Sequence, residues 1–376
     1  MTQSTTDQAA VLTGAVAALV KTDLAPIANA VDQEGLYPAD FLRKLASVGG
    51  FAPAIPVEHG GLALGRAAQI DVIREVGREC GSTAFLVWCQ TTCATYLLNS
   101  PNEAVRARYL APIVKGEILA GTGMSNAVKH LAGIEKIHLN ARREGEDYVV
   151  SGSLPWVSNV GESHLIVVAA AVEDGGYVMF AVRGDAQGVS LHSCPEFSAL
   201  EGTQTLNVRL KDARISPQDV VAHPGQFKAY MAGIKPAFVL GQLGMGFGII
   251  EGSLRTIRES NAATAHVNQY LDDQGDELAT ELAALQANAR ELAAQADAGT
   301  AIMLDVLRLR LATSELTLRA ANSAVLHAGA KGYLMRHPAQ RRQREAVFVA
   351  IVTPALKHLR KEIHALETAA AEARAA

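Results

Sequence analysis

Apolar positions in the first hundred residues recur every three to four places. Phe41, Leu42, Leu45 and Val48 mark one stripe, which stops at Gly49 and Gly50; Ile70, Ile73 and Val76 mark a second, ended by Gly81. That is the period of an amphipathic helix, and glycines are its usual stops. Residues 83–98 are nearly all apolar, so this helix has no face for solvent and is expected inside. A shorter amphipathic segment follows Pro101 and carries Tyr109 and Leu110.

From about Ile137 the period becomes two. Ile137, Leu139 and Ala141 alternate with polar positions, as do Tyr148 and Val150, then Tyr177, Met179 and Ala181, then Leu206, Val208 and Leu210. Residues 165–172 form one continuous apolar run. Short alternating stretches separated by Glu-Gly and Asp-Gly-Gly turns predict antiparallel strands. From Gly225 the helical period returns, with Ala, Leu, Glu and Gln dominating residues 276–297 and a break at Gly329 to Gly332. A last helix runs from about Ala339 into an Ala-rich tail, and Pro354 is placed to interrupt it or to begin a new one. The pattern gives an α+β chain with an N-terminal helical domain (1–118), a middle antiparallel β domain (119–222) and a C-terminal helical bundle (223–376), four-helix-bundle-like.

Composition narrows the class. Of the 376 residues 49% are hydrophobic and 19% charged, enough for a substantial core. A net charge of −4 offers nothing to a polyanion, so nucleic acid is not an expected partner. Arg341, Arg342 and Arg344 read as a solvated helix end. The four cysteines, Cys80, Cys89, Cys93 and Cys194, form no CxxC pair; Cys89 and Cys93 share a helix face with no His or carboxylate at ligand spacing, so apolar packing rather than metal is expected. The first residues lack the basic and apolar regions of a signal peptide, and no unbroken apolar run reaches the ~18 residues of a membrane span. The expectation is a reduced, cytoplasmic setting away from membranes. Gly241, Gly244, Gly246 and Gly248 have the wrong spacing for a dinucleotide-binding fingerprint, so they predict a close helix contact instead.

Four segments, in this order, resemble the acyl-CoA dehydrogenase superfamily. Pro56 followed by Gly60 and Gly61 is similar to its Pro-x-x-x-Gly-Gly loop. Tyr109 and Leu110 followed by Gly116 and Glu117 are similar to its Tyr-Leu-Pro-x-Leu-x-x-Gly-Glu segment. Gly152, Trp156, Ser158 and Asn159 are similar to its Gly-x-Lys-x-Trp-Ile-Thr-Asn motif, and Gly329, Gly332 and Tyr333 to its Gly-Gly-x-Gly-Tyr turn. The resemblance covers nearly the whole chain. It implies a flavin held between the β domain and the C-terminal helices, in a homodimer or homotetramer.

The resemblance also names candidate flavin contacts. Trp156 and Ser158, two apart on a predicted strand, are expected on one face, the indole against the ring and the hydroxyl donating near its N5; from spacing alone Trp156 also reads as an ordinary core residue. Thr122 and Ser125 offer further hydroxyls where the family carries Thr-Glu-Pro and Gly-Ser-Asp, neither of which is intact here, and Gly329 marks the turn. Thr122 and Ser125 read equally as part of a polar connector.

Two departures concern the reaction and the cofactor. The family removes a proton α to a thioester carbonyl with a Glu. Thr353 occupies the usual position of that Glu and Lys235 its alternative position, and a threonine hydroxyl is far too weak an acid to stand in as the base. The family's Arg-x-x-Phe-Gly segment has no counterpart between Arg258 and Tyr270, and Leu326 stands where a Gln precedes the Gly turn. Both positions serve FAD in the family, so FMN, or reduced flavin from a partner reductase, becomes an alternative to FAD. Some superfamily members use reduced flavin and oxygen as monooxygenases and need no such base.

Among the histidines, His130, His327 and His358 each read singly as a satisfied surface or core residue. His358 with Lys357 falls where the family places its C-terminal catalytic residue and is the first pair to test. Three readings follow: a flavin-dependent oxidoreductase with monooxygenase-like chemistry; an acyl-CoA dehydrogenase with a base relocated to Glu345, Glu201 or Glu251; and a silent binding protein. The expected partners are a small-molecule substrate, which an acyl-CoA would satisfy, and a flavin reductase or electron-transfer protein.

Overall fold

The computed structural model describes residues 5–375. Helices α1 (Thr5–Leu19), α2 (Ala28–Gln33), α3 (Ala39–Ser47), α4 (Gly65–Gly77), α5 (Gly81–Leu98) and α6 (Glu103–Val114) form the first part. The predicted stripes are the buried faces: Phe41, Leu42 and Leu45 of α3, and Ile70, Ile73 and Val76 of α4. Gly81 begins α5 rather than ending α4, because Cys80 caps the new helix by accepting from the Thr83 amide. Helix α5 is buried from Gly81 to Leu97. Its one long polar side chain, Gln90, is fully satisfied: it donates to the Ile113 and Ile118 carbonyls and accepts from the Ala120 amide, so it ties α6 to the first strand.

The strands are β1 (Ala120–Thr122), β2 (Leu139–Glu144), β3 (Asp147–Val157), β4 (Leu165–Val172), β5 (Tyr177–Arg183), β6 (Val189–Ser193), β7 (Leu206–Ile215) and β8 (Val220–Ala222), with helix α7 (Ser125–Leu131) between β1 and β2. Their order is β6-β7-β3-β2-β4-β5-β8, with β1 beside β4. The sheet is mixed rather than antiparallel throughout: β1 and β2 both run parallel to β4. The chain leaves β3, crosses over β2 and returns as β4, so β4 is parallel to the strand it skipped. Apolar periodicity reports faces, not neighbours, and could not show this. The continuous run in β4 is explained by burial on both faces. Leu165, Val167 and Ala169 join the helical core, while Ile166, Val168 and Ala170 join a second core on the far side.

The C-terminal part comprises α8 (Pro224–Gly241), α9 (Leu243–Asn268), α10 (Gly275–Asp297), α11 (Met303–Ala328), α12 (Pro338–Ile351) and α13 (Leu356–Ala375). The predicted last helix is thus two, separated around Pro354. The glycines of α9 do what their spacing predicts. A Cβ at Gly244 would lie 2.6 Å from the Ile70 carbonyl oxygen, and one at Gly248 2.5 Å from that of Arg74, so α9 packs backbone to backbone on α4.

One sequence expectation fails here. The arginines of α12 are not a solvated end: Arg341 and Arg342 are buried and donate to the Glu79 and Arg78 carbonyls at the end of α4, and Arg344 grips Asp32 of α2. Cations satisfy the free carbonyls of a helix C-terminus. In addition, two helical stretches, Thr5–Gln33 and Pro224–Asn268, are long and apolar enough to cross a membrane, although neither is an unbroken apolar run. The second is 89% buried in the protein's own core; the first packs Leu12, Val16, Val20 and Leu24 inward.

Candidate active site

One cavity of about 370 Å³ lies among α5, α7, α8 and α13, within the roughly 300–1,000 Å³ of small-molecule sites. Tyr96 of α5, Leu131 of α7, Met231, Phe238 and Val239 of α8, and Ala365 of α13 supply most of its wall. Lys235, His358, Lys361 and Glu362 supply its charged and titratable edge. Pro354, which opens the gap between α12 and α13, also lines it.

Several candidate residues converge on this place from distant parts of the sequence. Ser125, the first residue of α7, hydrogen-bonds Thr353 hydroxyl to hydroxyl at 2.6 Å. Thr122 at the end of β1 meets the Tyr96 phenol at 3.2 Å. The loop at Thr353 is held from behind by Gln242, which donates to the Thr353 carbonyl and accepts from Arg310. Arg310, itself wholly buried, also donates to the Val349 carbonyl. Gly121 packs so closely on Ser158 that a Cβ would lie 2.3 Å from its carbonyl oxygen. The segment 120–125 therefore joins Ser158 to the cavity wall.

Trp156 and Ser158 do not sit on one regular strand: β3 ends at Val157, before Ser158. The β3–β7 register shifts between Leu154 and Val157, and Trp156 has a left-handed φ of 60°. A bulge adds a residue and re-aims the side chains that follow. Trp156 is 62% exposed, with Phe197 at its edge, so it is not a core residue either. Ser158 is buried at 8% exposure and begins a chain of hydroxyls. Ser158 meets Thr205 at 2.5 Å, Thr205 meets Thr203 at 2.7 Å, and Thr203 donates to the Leu200 carbonyl at 2.6 Å. Each hydroxyl has one proton. The carbonyl takes that of Thr203, so Thr205 donates to Thr203 and Ser158 to Thr205. In that arrangement Ser158 presents its lone pairs outward. Asn159 fixes the strand end: its amide side chain donates to the Ala120 carbonyl and accepts from the Tyr37 phenol.

The remaining candidates separate. Gly329 ends α11, away from the residues that line the cavity, and His327 beside it bonds Ser323. His130 lies between the Glu135 carbonyl and the Tyr177 hydroxyl. Lys357 is exposed on α13; Lys361, one turn on, lines the cavity and donates to the carbonyl of Ala132, just past the end of α7. Cys89 and Cys93 are buried in α5, where loss of solvent raises both thiols.

None of the three carboxylates offered as relocated bases lines the cavity. Glu345 accepts from the Gly81 and Ser82 amides at the start of α5, and burial pushes its pKa up to about 7. Glu251 is paired with Arg74 and Arg78, and Glu201 accepts from the Phe197 amide. The carboxylate that does line it is Glu362, which the sequence reading missed. Glu362 is ion-paired to Lys235 and lies one helical turn from His358, whose Nε2 is 3.7 Å from its Oε2. Burial, the largest influence, lowers the pKa of His358. The i, i+4 spacing of His358 and Glu362 was the available signal, but it had meaning only once Lys235 was placed opposite.

Comparison with known proteins agrees with this fold. The family model "Acyl-CoA dehydrogenase, N-terminal domain" matches residues 6–117, and "Acyl-CoA dehydrogenase, C-terminal domain" matches 235–353. A probable acyl-CoA dehydrogenase of Bacillus subtilis is 24% identical over 345 residues, spanning 88% of this chain and 90% of its own. Butyryl-CoA dehydrogenase from Megasphaera elsdenii superposes with a TM-score of 0.85 at 18% identity, covering 99% of both chains. A dibenzothiophene monooxygenase from Paenibacillus sp. A11-2 superposes with a TM-score of 0.79 at 17% identity, covering 94% of this chain and 95% of its own. With two family domains matched in order across one continuous fold, the chain belongs to the acyl-CoA dehydrogenase superfamily of flavin-dependent oxidoreductases.

Proposed function

We propose that this chain oxidises a small, largely apolar substrate with reduced flavin and molecular oxygen, rather than by removing an α-proton from an acyl thioester. The observation that carries this reading is the direction of the hydroxyl chain at Ser158. Oxidised flavin has a bare nitrogen at N5 and needs a donor there; reduced flavin carries N5–H and needs an acceptor. Ser158 is an acceptor.

The charged edge of the cavity supports the same reading. Thr353 and Lys235 stand at the two positions of the family's base, and neither is a carboxylate. Glu362 is tied to Lys235, and an ammonium partner weakens a carboxylate as a base. A flavin fits the residues present: Trp156 offers an exposed indole to a ring, and Thr122 and Ser125 offer hydroxyls beside it. The bound flavin would supply two-electron redox chemistry. The chain's own residues would hold N5–H at Ser158, orient the substrate at His358 and keep water out with Tyr96, Met231, Phe238 and Val239. The monooxygenase and dehydrogenase relatives share one fold, so the fold accommodates both reactions. One such relative is described with FMN and another with FADH2, which keeps both flavins open to this chain. A flavin reductase or electron-transfer protein would supply the electrons, and the exposed Tyr333, Leu334 and Met335 suit contact with a second copy.

The second reading, an acyl-CoA dehydrogenase with Glu362 as base, rests on that carboxylate lining the cavity. Anaerobic addition of butyryl-CoA to the flavin-loaded protein separates the two. The flavin absorbance is expected to persist with the thioester, and the reduced protein is expected to react with oxygen. Rapid bleaching by the thioester, abolished in Glu362→Gln, would establish the dehydrogenase instead. A colourless protein that takes up neither FAD nor FMN would remove both.

A further inference from the structure

Glu345 sits where three helices meet. It belongs to α12, is only 1% exposed, and faces the first turn of α5. One of its oxygens does all the bonding. Oε1 accepts from the Gly81 amide at 2.9 Å and from the Ser82 amide at 3.4 Å. Oε2 is buried and has no hydrogen-bond partner among the described residues, and it is packed so tightly that a Cβ on Gly81 would lie 2.9 Å from it. The neighbouring cations are committed elsewhere. Arg341 donates to the Asn29 side chain and to the Glu79 carbonyl, and its Nε stays 3.9 Å from Oε1, too far to hydrogen-bond. Arg342 donates to Thr256 and to the Arg78 carbonyl, and Arg344 is held by Asp32. Facing Glu345 from the other elements are Asp32 of α2, which adds like charge, and the Cys80 thiol that caps α5.

A buried carboxylate keeps its charge when both oxygens are satisfied, and one bare oxygen favours the neutral acid. A proton on Oε2 removes the charge and leaves Oε1 to accept from both amides. We propose that Glu345 is a proton-binding site built into this joint: the folded chain takes up a proton on Oε2, and α2, α5 and α12 are held most firmly while it is there. Burial, the largest influence, pushes the Glu345 pKa up to about 7 against the pull of Arg341, with Asp32 raising it further and Arg342 opposing. In an unfolded chain a glutamate titrates at about 4.3. The folded state therefore binds the extra proton. The stability this contributes is complete below about pH 4.3 and is lost as pH rises through about 7. Helix α5 carries Tyr96 of the cavity and α12 leads into the gap at Pro354, so the joint braces two walls of the candidate site.

Glu345→Gln mimics the protonated acid and cannot ionise. Denaturant unfolding of the full chain at pH about 5.5 and about 8 reads the difference. Over this interval the unfolding constant of the wild type is expected to rise at least about tenfold relative to that of Glu345→Gln. His164 and His358, whose pKa values burial lowers, act in the same window with the opposite sign, and the comparison cancels them because both chains contain them. Infrared spectra of the wild type give an arm that needs no variant. With glutamate ¹³C-labelled at the side-chain carboxyl, a protonated-carboxyl band that moves with the label is expected at pH about 6.5, where exposed carboxyls are ionised, and should vanish by about 8.5. Parallel pH profiles for the two chains, no such band at the lower pH, or a band that survives in Glu345→Gln would each overturn the proposal.

Discussion

Replacing Asp32 by Ala is expected to lower the free energy of unfolding by about 3–5 kcal/mol, measured by denaturant unfolding of the otherwise unchanged protein. Asp32 is buried on α2, and both its oxygens accept from Arg344 of α12, one at 2.8 Å. Arg344 also donates to the Ser198 carbonyl at 2.9 Å. Removing the carboxylate leaves a largely buried guanidinium without its counter-charge, which costs far more than losing a surface pair. A loss below about 1 kcal/mol would mean that Arg344 finds water, as a solvated helix end would. The double variant Asp32→Leu with Arg344→Met should recover much of the loss, because it removes both charges and keeps the volume. The effect should also reach the flavin side. Ser198 adjoins Phe197, which packs at the edge of Trp156, so the single variant should hold flavin more weakly.

The same ion pair shows what could be read from the chain and what could not. Helices and strands were legible wherever one face is apolar and the other polar, as in α3, α4 and β2. Strand β6 was not, because it is a half-exposed edge whose pattern is too weak to stand out from a loop. The burial of Arg341, Arg342 and Arg344 was not, because their partners Asn29, Asp32, Arg78 and Glu79 lie in the first part of the chain. At the candidate site, Thr353, Lys235 and His358 were named from the resemblance, and the fold brings them near one another. Glu362 was not found, because a charged residue on a terminal helix reads as solvated until α8 brings Lys235 against it. The regular strand expected through Trp156 and Ser158 was misread although the sequence held a warning. Pro155 cannot donate to a ladder, and a proline inside a strand marks an edge or a bulge.

Replacing Ser158 by Ala is expected to weaken the preference for reduced over oxidised flavin roughly tenfold, a fall of about 30 mV in the two-electron midpoint potential. The sign follows from the hydroxyl chain. The Leu200 carbonyl fixes the proton of Thr203, which fixes that of Thr205, which fixes that of Ser158, so in the proposed role Ser158 would stabilise the state that has N5–H to donate. Losing that acceptor makes reduction harder, and the potential drops. If Ser158 instead donated to N5, it would stabilise the oxidised state, and the same variant would raise the potential. A reductive titration against a reference dye therefore decides by direction alone. Thr205→Val, which leaves Ser158 in place, gives an independent check. Without Thr205 the Ser158 proton is free to turn outward, so this variant should also lower the potential although Ser158, the residue proposed to face the flavin, is unchanged. A fall in both variants would tie the redox preference to the whole chain from Leu200 to Ser158. A fall in Ser158→Ala alone would mean that the direction of the chain does not control it.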